Sequence, residues 1–143
     1  MKFWDSSAIV PLVTCELTSE QAYSILSLDR GMIVWSLSLT EIYSALYRKV
    51  REEKILESEL TESVNQLSLL QRGWSEMNQI ESVRLKANRL LAVHPLRAAD
   101  SLQLAAALLA FEDHPEGQAF VTFDKNLAIA AKKEGFTLPL SPL

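Results

Sequence analysis

The chain has 143 residues, 48% hydrophobic and 22% charged, with a formal net charge of -4, which fits one globular core of ordinary size and excludes a disordered or fibrous chain. The acidic balance argues against a general nucleic-acid coat, no apolar run approaches the roughly 18 residues of a membrane span, and four dispersed glycines build no phosphate-cradling loop. A single cysteine, Cys15, excludes an internal disulfide, fits a reducing cytoplasm and is expected as buried filler.

Lys2-Phe3-Trp4 predicts a short strand ending at Asp5, followed at once by a helix from Ser6 that Pro11 keeps short or kinked. Thr18-Ser-Glu-Gln21 matches a capping box and predicts a helix to about Leu28. Met32 to Trp35 predicts a second strand. Ser38-Leu-Thr-Glu41 is another capping box, opening a helix to about Lys54 with Ile42, Leu46 and Val50 at helical spacing. Another helix is expected from Glu57 to Trp74, with Leu60, Val64, Leu67 and Leu70 on one stripe. Met77 to Ile80 is a weak candidate strand, and Glu81 to Val93 a helix rich in Arg, Lys and Leu.

Pro95 resets the chain for a helix from Leu96 to about Glu112, apolar on nearly every face from Ser101 to Phe111 and so expected to be buried. Ala119 to Phe123 is the best strand, ending in Asp124. A helix from Lys125 to Glu134 follows, stopped by Gly135, and Phe136 to Leu140 suggests a last strand. Strands separated by helices imply parallel pairing. The expectation is a single three-layer α/β/α domain over residues 1–143, with a central, mostly parallel sheet of four to five strands.

Asp5, Glu41, Asp100 and Asp124 each have an ordinary structural role open to them. Asp5 and Asp124 can cap the helices that follow, Glu41 can complete its capping box, and Asp100 can pair with Arg97 one turn back. In a parallel α/β sheet, however, helices that follow strands begin at the strands' carboxyl edge, where ligands bind at the switch point of strand order. Four carboxylates gathered there raise one another's pKa and resist joint ionisation, a conflict that a divalent cation removes. Oxygen-only donors select hard ions such as Mg²⁺ or Mn²⁺. The two histidines, His94 and His114, each precede a proline and are expected as helix-end or turn residues.

Four segments carry a resemblance. They are Phe-Trp-Asp5-Ser-Ser-Ala-Ile-Val, Ser-Leu-Thr-Glu41-Ile-Tyr-Ser-Ala-Leu, Leu-Arg-Ala-Ala-Asp100-Ser-Leu-Gln-Leu-Ala-Ala-Ala, and Phe-Val-Thr-Phe-Asp124-Lys-Asn-Leu-Ala-Ile-Ala-Ala. In order and spacing the chain resembles the PIN domain, and within it the VapC-type toxin ribonucleases of toxin–antitoxin pairs. The resemblance implies a PIN-like fold and an endoribonuclease dependent on Mg²⁺ or Mn²⁺. Asp5, Glu41, Asp100 and Asp124 would hold one or two ions, which would orient a water, lower its pKa and offset charge on the scissile phosphate. It further implies a small cognate antitoxin and a homodimer.

Ser6, Ser7, Thr122 and Asn126 are candidates to position a ligating carboxylate or the water. Lys125 leads the candidates for RNA contact because Asp124 fixes its location, with Arg97 and Arg48 behind it. Trp4 and Trp35 are expected in the core. A receiver domain would need an acidic pair where Asp5 is followed by Ser6 and Ser7, and an Asp-x-Asp phosphatase would need an acid at Ser7. The alternative is a catalytically silent PIN-like RNA- or protein-binding module, against which the presence of all four acids speaks.

Overall fold

Two helices follow each of the first three strands in the computed structural model, which describes residues 1–140. In chain order they are β1 (Lys2–Trp4), α1 (Ser6–Val13), α2 (Ser19–Leu28), β2 (Met32–Trp35), α3 (Ser38–Arg51), α4 (Glu57–Gly73), β3 (Ser75–Met77), α5 (Ile80–Val93), α6 (Ala98–Ala110), β4 (Phe120–Val121) and α7 (Lys125–Glu134). The sheet order is β3-β2-β1-β4 and every pairing is parallel.

The period-two alternation of the strands sorts the helices into layers. Trp4, Met32, Val34 and Val121 face one side, where they pack with α1, α2, Ile42 and Leu46 of α3 and Leu67 of α4. Phe3, Trp35 and Phe120 face the other, against Val83 and Leu90 of α5, the body of α6, and Leu127 and Ala131 of α7. Phe3 lies opposite Phe120 in the register and stacks on it with ring centroids 5.4 Å apart. Trp4 and Trp35 are core residues, as expected. The predicted burial of α6 also holds, since Leu104 to Ala107 have no exposed surface.

The chain steps from β1 to β2 to β3 in one direction, then crosses back to lay β4 on the far side of β1. Strand order therefore reverses between β1 and β4, and a crevice opens beyond their carboxyl ends. Asp5 follows one of these strands directly, and Thr122 to Asp124 follow the other.

Several expectations change. The predicted strand from Phe136 to Leu140 is reduced to one parallel bridge, between Ala119 and Thr137. Phe120 N–H donates to Thr137 O and Thr137 N–H to Gln118 O, both at 2.9 Å. The next rung would need an N–H from residue 139, which is proline and has none. Neither predicted capping box forms. Thr18 is helical and makes no side-chain cap; Ser19 Oγ accepts from Glu16 N–H and donates to Thr14 O instead. Leu37 takes the N-cap place of α3, which puts Ser38 inside the helix. The third strand lies two residues earlier than expected, and Cys15 is exposed rather than buried. His94 is the C-cap of α5, but it is buried and bonded to Glu134 of α7 at 2.6 Å. No helix among the described residues is long and apolar enough to cross a membrane.

Candidate active site

Asp5, Glu41, Asp100 and Asp124 arrive from four different elements and line one cavity of about 570 Å³, together with Ser6, Ser7, Thr40, Ser44 and Arg48. Each is delivered by a helix start. Asp5 caps α1 by accepting from Ser7 N–H at 3.3 Å, and Asp124 caps α7 by accepting from Leu127 N–H at 2.8 Å. Glu41 and Asp100 lie in the first turns of α3 and α6. All four therefore sit at positive helix ends, which partly offset their charge.

Asp5 is the anchored member. It is buried, and its Oδ2 accepts from Ser7 Oγ at 2.5 Å and Thr122 Oγ1 at 2.8 Å as well as from Ser7 N–H. These hydroxyls tie the two strand ends together: Ser7 Oγ accepts from Phe123 N–H, and Thr122 Oγ1 from Asp124 N–H, both at 3.0 Å. Oδ1 has only a long contact of 3.4 Å with Ser6, whose hydroxyl also lies 3.5 Å from Glu41 Oε2. One oxygen of Asp5 is thus committed to the fold and the other is left toward the cavity.

Glu41 serves no capping role, because Ser38 lies one position too far into the helix. Its Oε1 accepts instead from Gln103 Nε2 at 2.7 Å, across the contact between α3 and α6. The Asp100 carboxylate accepts no hydrogen bond among the described residues, and the pairing with Arg97 does not form. Arg97 is the exposed N-cap of α6 and lies outside the cavity.

The electrostatics follow from this crowding. Burial, opposed by its hydrogen bonds and reinforced by Asp124, raises the Asp5 pKa above its ordinary value. Burial, with repulsion from Asp5 and Asp100, pushes Glu41 up to about 7 against the Gln103 hydrogen bond. Asp100 is pushed up to about 6 by burial and then by Asp124 and Asp5, with Arg97 only partly offsetting them. No ion pair neutralises any of the four among the described residues.

These residues fit a hard divalent cation in the chemistry of their donors: carboxylate oxygens only, partly dehydrated, mutually repulsive, and in Asp100 without a hydrogen-bond or ion-pair partner among the described residues. They do not form a closed cage, for no three acids among the described residues already converge on one point.

The other candidates divide. Ser6, Ser7 and Thr122 join the carboxylate network, whereas Asn126 is exposed and outside it. Arg48 lines the acidic cavity. Lys125, ranked first from sequence for RNA contact, lines a separate cavity of about 480 Å³ with Ile129, Lys132 and Leu138. Sequence reasoning missed Gln103, whose signal was a lone amide in an otherwise apolar helix, three residues beyond Asp100.

No protein-family model matches the chain. Two curated proteins of Mycobacterium tuberculosis are similar to it. Ribonuclease VapC45, from strain CDC 1551 / Oshkosh, and ribonuclease VapC49, from strain ATCC 25618 / H37Rv, are each 27% identical over 136 residues, covering 93% of this chain and 90% of their own length.

Proposed function

We propose that the chain is a VapC-type PIN domain and an endoribonuclease dependent on Mg²⁺ or Mn²⁺, the toxin of a type II toxin–antitoxin pair, a reading supported by its similarity to two VapC ribonucleases and by its all-parallel sheet. The observation that carries the reading is the convergence of four un-neutralised carboxylates from four elements on one cavity. Asp5, Glu41, Asp100 and Asp124 would hold the ion or ions. A bound divalent ion supplies Lewis acidity, lowering the pKa of a water and offsetting charge on the phosphate under attack.

The chain's own residues do the rest by placement. Ser7 and Thr122 fix the Asp5 carboxylate, and the Asp124 cap fixes its own carboxylate against the end of β4. Ser6 spans Asp5 and Glu41. Arg48, seven residues beyond Glu41 on α3, offers a guanidinium to an RNA phosphate at the cavity rim. With no histidine among the described residues that line the cavity, proton transfer falls to carboxylates and water. A small antitoxin that covers this cavity, and a homodimer, follow from the same reading.

The test is cleavage of single-stranded RNA by the purified chain with Mn²⁺ or Mg²⁺, abolished by EDTA and restored by excess metal. The same ions should raise the melting temperature. Binding at a hundredfold excess over Kd is worth about 2.7 kcal/mol, or roughly 5–10 °C for a domain of this size. RNA binding without cleavage would identify the silent module instead, and no thermal shift with either ion would remove the metal site.

A further inference from the structure

Gln103 is completely buried in the apolar body of α6. Its Nε2 donates to Glu41 Oε1 at 2.7 Å and to Ser38 Oγ at 2.9 Å, while its Oε1 has no partner among the described residues. Methionine or leucine would fill a similar volume without burying an unbonded oxygen. For packing alone the amide is a poor choice. Among the described residues its only side-chain hydrogen bonds go to α3, and one of them ends on an acid of the cavity.

The geometry of those bonds is informative. An amide fastened through a single hydrogen turns about its terminal bond. Two acceptors on one helix fix the amide plane, and with it the direction from which Glu41 Oε1 is held. Glu41 Oε2 is left beside Ser6 at 3.5 Å, on the cavity side. Gln103 is also one turn from Asp100, so the same contact sets the separation of two carboxylates that repel each other.

We propose that Gln103 is a positioning residue: it orients the Glu41 carboxylate for the divalent ion and locks α3 to α6 at the spacing the ion requires. This inference rests on the function proposed above. It concerns how the site is held, not which group reacts.

The test compares full-length wild type with Gln103→Met by Mn²⁺ titration calorimetry, melting temperature in EDTA, and steady-state RNA cleavage. Gln103→Met should weaken Mn²⁺ binding by about 10- to 100-fold, as loss of a ligand's outer partner does. At fixed Mn²⁺, kcat should fall while KM for RNA stays within about threefold of wild type, because a group acting through Glu41 does not touch the RNA. The metal-free variant should melt at or above the wild-type temperature. Wild-type Mn²⁺ affinity in Gln103→Met overturns the inference, as does a lower metal-free melting temperature that accounts for the lost activity. Should Gln103→Met not fold, Gln103→Leu takes its place, and failure of both assigns Gln103 to stability and also overturns it. A wild type that neither binds Mn²⁺ nor cuts RNA defeats the proposed function itself, a result distinct from wild-type behaviour in the variant.

Discussion

Arg97 and Asp100 stand one helical turn apart at the start of α6 and do not pair. The arginine is exposed as the N-cap, whereas the carboxylate lines a cavity with three others. The arginine still lowers the Asp100 pKa, but burial, Asp124 and Asp5 prevail and leave it at about 6.

Asp100→Asn should therefore separate function from folding. Mn²⁺-dependent RNA cleavage should fall by at least about a hundredfold, as expected when a metal ligand is lost. The melting temperature in EDTA should hold or rise, because the amide removes repulsion without breaking an ion pair. Wild-type cleavage would take Asp100 out of the site, and a large metal-free loss of stability would restore the pairing with Arg97.

The pH dependence of stability has a definite sign. Glu41 at about 7 and Asp100 at about 6 stand above their unfolded values of 4.5 and 3.8. A raised carboxyl pKa means that folding favours the neutral form, so this contribution is full below pH 4 and lost as pH climbs through 6 and 7. Metal-free melting temperature should fall between pH 5 and 8. The expected change is modest, about 1–2 kcal/mol, because both groups are only half-buried and solvent screens them. Combining Glu41→Gln with Asp100→Asn should flatten the slope, and excess Mn²⁺, which binds the ionised carboxylates, should reverse it.

Ser7→Ala probes the anchor of Asp5. It deletes the hydroxyl that donates to Asp5 and accepts from Phe123 N–H. The expected loss in urea denaturation is about 1–3 kcal/mol, with Mn²⁺ affinity down by about tenfold. Unchanged affinity would mean that Thr122 and the backbone hold Asp5 unaided.

Arg48→Ala should raise KM for RNA and reduce the salt dependence of binding by about one unit of slope, with Mn²⁺ affinity unaltered. Lys125→Ala should have the smaller effect on both, since its side chain lines another cavity. The reverse ranking would place the RNA path over α7 rather than α3.

The sequence was most legible where one residue answers to one local rule. Asp5 and Asp124 cap their helices, Gly135 ends α7 in the left-handed conformation at φ 113°, and the apolar run of α6 is buried. It was least legible where a neighbour in space decides. Ser38 and Glu41 have the spacing of a capping box, but Leu37 enters the helix first and Gln103, 65 and 62 residues away from them, takes both side chains. The segment from Phe136 to Leu140 has a strand's composition, yet Pro139 removes the hydrogen bond that would extend its single bridge. Lys125 shows a further limit: adjacency to Asp124 fixes its backbone, but at a helix start neighbouring side chains diverge around the axis. The four acids were readable as a set because all stand at helix starts, a regularity of the chain rather than of any one residue.

The bond from Thr122 to Asp5 spans 117 residues of sequence, and this has a consequence for biosynthesis. A nascent chain that has reached only the end of α6 carries three of the four acids, yet β1 has an open edge and Asp5 lacks its hydroxyl donor from Thr122. Contacts this distant in sequence close late in folding. On the proposed function, the four-acid site is incomplete until β4 and Asp124 have emerged from the ribosome, so a partly synthesised chain carries no finished site.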